Sequence, residues 1–257
     1  MKQRLERSTC PPTSHSQIIS SVPFSSRPTR PKNRRINVHK LEQITDGIRK
    51  TFDARTSARD HALAQARQLT RACSLAIRAV HRDEVDVMNA HLQEARQLAD
   101  TLRASLASHP DLFYAGYTQD ALKEFVEANV TCALIRNEPL QTPEELVVEP
   151  STFLNGLAEV VGELRRRSLD ILRHGYSPEV ERLLGIMDEI YSVMVTMDYP
   201  DAITNGLRRQ TDLARSIIEK TRGDITFSLR GEHLEQAISQ LSAQLNSDPQ
   251  NGQKSSG

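Results

Sequence analysis

Apolar residues recur every three or four positions along most of this chain, a spacing that predicts amphipathic helices rather than strands. Proline limits where those helices can run. After Pro31 there is none until Pro110, and then they fall at positions 139, 143, 150, 178, 200 and 249. The proline-free stretch carries Leu41, Ile44, Ile48 and Phe52, then Ala62, Ala66, Leu69, Cys73, Ile77 and Val80, which reads as long helix. A second helix is expected from near Asp83 or Glu84 to about Ser108, through Val87, Leu92, Ala95, Leu98 and Leu102. Asp111, after Pro110, is placed to cap a third helix reaching about Arg136. Others are expected from Phe153 to His174, from Pro178 to about Met197, over 202–222 and over 224–244, the last two divided near Arg222-Gly223-Asp224.

The capping grammar supports these limits. Ser177-Pro178-Glu179 sets a hydroxyl before a proline at the first helical position, with an acid in the first turn. Thr142-Pro143-Glu144-Glu145 repeats the pattern for a short helix, and Gly175 is a usual left-handed stop. No segment alternates as a strand would. The fold class is all-α, with seven principal helices.

Composition adds a second wetted surface to that picture. The chain has 257 residues, 38% hydrophobic, with a mean hydropathy of −0.49. Much of the polarity lies inside the periodic segments, as in helices with one face to solvent and another lining a groove or cavity. The zero net charge hides an asymmetry. Residues 1–36 hold eight basic residues against Glu6, a charge of +7 that leaves −7 for the rest. This divides the chain into a disordered basic tail (1–36), a helical domain (37–245) and a disordered tail (246–257). Such a tail is compatible with nucleic-acid contact or with plain solubilisation. Cys10, Cys73 and Cys132 are scattered, which points to a reducing, cytoplasmic setting and away from structural zinc. No apolar run nears the ~20 residues of a membrane span.

Four acids stand out. Glu124 and Glu127 are three residues apart, and Glu159 and Glu163 four apart, so each pair shares one helical face. On the first helix they point away from the stripe of Leu122, Phe125, Val126, Val130 and Ala133. On the second they point away from Leu154, Leu157, Val160, Val161, Leu164 and Ile171. A solvated face explains this simply. Two details favour a site: like charges one turn apart repel, and Gly162 sits mid-helix where glycine costs about 1 kcal/mol against alanine. A close approach of another backbone or a ligand explains such a glycine. Hard cations such as Mg²⁺ take carboxylate oxygens, so the pairs are candidate ligands beside a phosphodiester. A di-iron bundle needs Glu-x-x-His, whereas Glu127, Val130, Gly162 and Arg166 stand three after each acid.

The C-terminal half resembles the translin family, which includes translin and translin-associated factor X. The resemblance rests on Met187–Tyr191, Asp198–Ile203, Gly206–Asp212 and Glu219–Asp224, and upstream on Leu122–Ala128 and Leu154–Leu164. It is specific over 120–224 and extends by helix pattern over 38–245. It implies a seven-helix α-α bundle assembling into a hollow, octamer-like shell that binds single-stranded RNA, or single-stranded DNA, within. In translin-associated factor X and prokaryotic relatives it further implies Mg²⁺-dependent endoribonuclease activity. Glu124, Glu127, Glu159 and Glu163 match the acids of that activity one for one, with Glu159 where the family pattern has aspartate.

Basic residues supply candidate phosphate contacts. Arg166 projects nearest the acid face, and Arg208 and Arg215 lie two turns apart with Arg209 beside them. Flanking an apolar stripe and pairing with acids such as Asp212 or Glu219 explains them equally well. The family's basic motif before the third helix is absent, since Leu112–Tyr117 is neutral. With no Trp and 4% aromatics, base stacking is scarce and backbone-led binding is expected. The alternative to a nuclease is a translin-like binding scaffold that relies on a catalytic partner subunit.

Overall fold

The computed structural model describes residues 38–247, and the basic tail expected over 1–36 lies outside them. The described residues fall into two units, 38–48 and 49–247. The described part of the first is the opening of one helix; the second carries the rest. Nine helices occur among the described residues: α1 (Val38–His81), α2 (Val85–Leu106), α3 (Pro110–Phe113), α4 (Gly116–Arg136), α5 (Pro143–Leu146), α6 (Pro150–Leu172), α7 (Pro178–Val195), α8 (Asp201–Thr204) and α9 (Leu207–Ser247). Six are long and three are single turns. The all-α class holds, while seven principal helices become six.

Two boundaries differ from the expected ones, and the second of them accounts for the change in count. The helix expected from Asp111 to Arg136 is interrupted at Tyr114-Ala115, where Ala115 is extended. Thr118 Oγ1 and Gln119 Nε2 donate to the carbonyls of Leu112 and Phe113, each at 2.8 Å, so side chains of α4 satisfy the acceptors that the break exposes. Asp111 does not cap; it pairs with Arg55. Further on, Gly223 does not divide the last helix. Arg165 bonds Thr221 at 3.0 Å and pairs with Asp224 at 2.8 Å, and Arg222 grips both oxygens of Asp188. Those anchors flank the glycine and outweigh its helix penalty of about 1 kcal/mol. The start of α9 is set instead by Asn205 and Gly206, both at positive φ (51° and 87°).

Capping follows the sequence. Ser177 accepts from the Glu179 amide, and Thr142 with Glu145 completes a reciprocal capping box. Gly175 adopts φ 115° after α6. α6 begins three residues earlier than expected, at Pro150.

The core of the second unit is built on α4 and α6. α6 packs against α4, α7 and α9, and α2 covers α4. Leu69, Cys73, Leu102, Leu122, Phe125, Val160, Val161, Leu164, Leu183 and Met187 are fully buried. Burial encircles α4: Thr118, Ala121, Leu122, Phe125, Val126, Ala128, Val130, Thr131 and Cys132 are all inside. One glycine sets the α4–α6 separation. A Cβ on Gly156 would meet Val126 Cβ at 2.8 Å and the Lys123 carbonyl at 2.9 Å. Leu41, Ile44, Ile48 and Phe52, read as the head of the α1 core stripe, are exposed. Among the described residues no helix is long and apolar enough to cross a membrane.

Candidate functional site

The close approach at Gly156 brings the acid faces of α4 and α6 toward one another. One carboxylate oxygen from each of Glu124, Glu127 and Glu159 lies within 4.8 Å of the others. They line a cleft of about 600 Å³ with Glu163, Gly162 and Arg166 of α6, Ser74, Ile77 and Arg78 of α1, and Gln210, Leu213, Ala214 and Ile217 of α9. The solvated-face reading does not hold for Glu127, which is buried, while the other three acids are half-buried at the cleft. No backbone approaches Gly162; a Cβ there would meet nothing within 4 Å. It faces the cleft, and the tight glycine is Gly156.

The fourth acid is engaged differently. His81 Nε2, on a side chain 3% exposed, lies 2.6 Å from Glu163 Oε2, and Arg166 lies 3.5 Å from the same oxygen. The other ring nitrogen of His81 is buried without a hydrogen-bond partner. Lys123 sits on the opposite flank, its Nζ 2.8 Å from Glu159 Oε1. The four acids therefore divide into a triad and a fourth carboxylate tied to the end of α1.

Electrostatics follow from that division. Burial, with Glu124, Glu159 and Glu163 adding like charge, pushes the Glu127 carboxyl up to about 8. Glu124 is raised for the same reasons, burial first and then Glu159. Glu163 is held below the usual carboxylate range by its hydrogen bond with His81. Burial opposes the charge on Lys123, but its bond to Glu159 keeps its pKa above the usual lysine value. Three acids thus share a space that one lysine only partly neutralises. The donor set is all carboxylate oxygen, with no imidazole or thiolate in the triad, which fits a hard divalent cation.

The sequence-derived basic residues fare unevenly. Arg166 lines the cleft. Arg208 and Arg209 are exposed and Arg215 pairs with Glu219 at 3.0 Å; none of the three lines it. Tyr191 packs against the core and Tyr199 is exposed. Sequence reasoning missed Ser74, Arg78, His81 and Lys123. The first three had a readable signal, because 74, 78 and 81 fall on one face of α1 at helical spacing.

Fold and cluster together define an all-helical protein with a carboxylate triad in a cleft between its two central helices. No family model matches the chain. It is 31% identical over 194 residues to an uncharacterized protein of Methanocaldococcus jannaschii, spanning 75% of this chain and 86% of that one. The crystal structure of AfC3PO, from Archaeoglobus, superposes with a TM-score of 0.67 at 31% identity, covering 73% of this chain and 97% of that chain. AfC3PO in complex with duplex RNA matches at 0.66 and 32%, with the same coverage. Apo-NeC3PO, from Nitrosomonas, shares the fold (TM-score 0.65) at 19% identity, over 72% of this chain and 96% of that one. The chain belongs to the translin family and has the C3PO fold.

Proposed function

We propose that the chain is a metal-dependent endoribonuclease of the translin type, acting on single-stranded RNA. The observation that carries this reading is the meeting of Glu124, Glu127 and Glu159 within 4.8 Å in a cleft that also holds two arginines. A pure binder of a polyanion has no use for buried acids facing its ligand, since they repel it. Glu124, Glu127 and Glu159 would hold a Mg²⁺ ion, with Glu163 beside them. Bound there, the ion supplies the electrophilic charge that phosphodiester hydrolysis requires.

The chain's own side chains have separate tasks in this reading. Arg166 and Arg78, at the cleft, receive phosphate oxygens and offset the negative field of the acids. Lys123 fixes the Glu159 carboxylate from the far side. His81 fixes Glu163, so that this carboxylate keeps one orientation. Glu127, with a carboxyl pushed up to about 8 by burial and its acidic neighbours, would give up its proton as the cation binds. Arg208, Arg209 and Arg215 give further backbone contacts outside the cleft, a role supported by their place on the helix that also lines it. Assembly into a hollow octamer would enclose the cleft; the C3PO fold supports that arrangement.

The test is cleavage of end-labelled RNA by the purified full chain, with Mg²⁺ or with EDTA. AfC3PO has been captured with duplex RNA, so single-stranded and duplex substrates are run side by side. Single-strand cleavage that needs Mg²⁺ and is lost in Glu124→Gln, Glu127→Gln and Glu159→Gln is expected. Tight binding with no cleavage under any metal would replace this reading with the non-catalytic scaffold.

A further inference from the structure

We propose that the distal half of α9 pairs with the same segment of a second copy as a parallel two-stranded coiled coil. Among the described residues Ile225 is the last buried one of α9, and the helix continues to Ser247 beyond it. Along that extension Phe227, Leu234, Ile238, Leu241 and Leu245 are 56% to 81% exposed. Their spacing alternates three and four once Gly231 is included, which is a heptad seam rather than scattered surface apolarity.

The orientation of the seam excludes the chain's own bundle as its partner. Ala214, Ile218, Thr221 and Ile225 form the buried face of α9. At 3.6 residues per turn, the line through Phe227, Leu234 and Leu241 lies roughly 180° around the helix from that face. That side points away from the core of its own bundle, and no described residue of the chain buries it.

Residue identities select the partner and its direction. With Gly231, Ile238 and Leu245 at a and Leu234 and Leu241 at d, the β-branched Ile238 above leucines at d favours two strands. In that register Arg230 takes a g position and Glu235 the e position of the following heptad. These are the positions that meet across a parallel pair, so Arg230 of each copy faces the partner's Glu235, twice by symmetry. Both side chains are exposed, and neither forms an ion pair among the described residues. Antiparallel packing of the same seam would bring the two copies of Glu235 together near its centre. Because α9 is already nucleated by its anchored first half, pairing does not bear the cost of starting a helix. The inference is independent of any action on RNA.

The test is self-cross-linking of the full chain in a Cys10→Ser background. Cys73 and Cys132 are buried and stay silent. Leu241→Cys should form a disulfide-linked dimer under mild oxidation at least tenfold faster than Ser239→Cys, whose side chain leaves the seam. Adding Arg230→Glu or Glu235→Arg should slow that reaction several-fold, and the two together should restore it. Equal rates at 239 and 241 would overturn the proposal, as would failure of the double exchange to restore coupling. A chain that does not cleave RNA but passes this test would keep the pairing while losing the nuclease reading.

Discussion

Gly156 lies so close to Val126 that a methyl group there would stand 2.8 Å from the valine Cβ. This one contact sets how far apart α4 and α6 can be, and therefore whether Glu124 and Glu127 reach Glu159. Gly156→Ala should cost about 1–3 kcal/mol through overpacking, a drop of several degrees in Tm at roughly 2–4 °C per kcal/mol. RNA cleavage should fall with it. Gly162→Ala should do the reverse to stability, gaining about 0.5–1 kcal/mol because nothing crowds that position. It still places a methyl in the cleft, so cleavage should fall while Tm rises. Differential scanning calorimetry and a cleavage assay on both variants check the pair.

The raised carboxyl of Glu127 makes stability depend on pH with a definite sign. Its folded pKa, about 8, lies above the ordinary 4.5, so the native state binds more protons between those values. Stability therefore falls as pH climbs through that window. Glu127→Gln removes the effect. Urea titrations should show the variant more stable than the parent by on the order of 3 kcal/mol at pH 8.5, with little difference at pH 5. An equal gain at both pH values would mean that burial of the charge is not the cause.

Divalent cations should stabilise the folded chain. At a hundredfold excess over Kd, a ligand that binds only the native state adds about 2.7 kcal/mol, several degrees in Tm for a chain of this size. Mg²⁺ or Mn²⁺ should produce that shift, EDTA should reverse it, and Glu124→Gln or Glu159→Gln should abolish it. Thermal melts with each ion measure this without any RNA.

His81 acts on Glu163 across 82 residues of sequence. His81→Ala leaves a half-buried carboxylate with only the longer Arg166 contact, at a cost of about 1–3 kcal/mol. Because the contact depresses the Glu163 pKa, it stabilises fully above the unfolded value near 4.5. That part of the advantage fades as acid is added and the carboxylate protonates in the folded state. Comparing parent and variant unfolding at pH 7 and pH 4 should show the gap narrowing. Cleavage should fall through kcat rather than KM, since His81 positions an acid and does not touch substrate.

Arg166→Ala and Arg78→Ala should weaken RNA binding severalfold at low salt and reduce its salt dependence. Arg208→Ala, Arg209→Ala and Arg215→Ala should each do so less, because none of them lines the acid cleft. Fluorescence anisotropy across a salt series measures both effects.

The helices and the four acids were legible because 3.6-residue periodicity and acid spacing are local properties. What escaped depends on side-chain contacts that helical periodicity does not encode, most of them between residues far apart in sequence. The break before Gly116 is stabilised by Thr118 and Gln119, and the continuity through Gly223 by Arg165 and Arg222 reaching other helices. The solvated-face alternative failed at Glu127 because it assumes a helix with a free side, and α4 is packed nearly all round. Lys123 was invisible as a site residue because a single lysine on a helix carries no pattern of its own, whereas the shared face of Ser74, Arg78 and His81 was readable but has meaning only once α1 is known to border the acids. The tight glycine could not be told from Gly162 without knowing which face of α6 meets α4.

The unbroken course of α9 has a mechanical consequence. Gln210, Leu213, Ala214 and Ile217 form one wall of the acid cleft, and the same rod carries Ile238 and Leu241. At about 1.5 Å per residue, roughly 36 Å of continuous helix separates Ala214 from Ile238. With the helix unbroken at Gly223, both ends belong to one rod, and a torque applied at the far end would be carried along it toward the cleft wall.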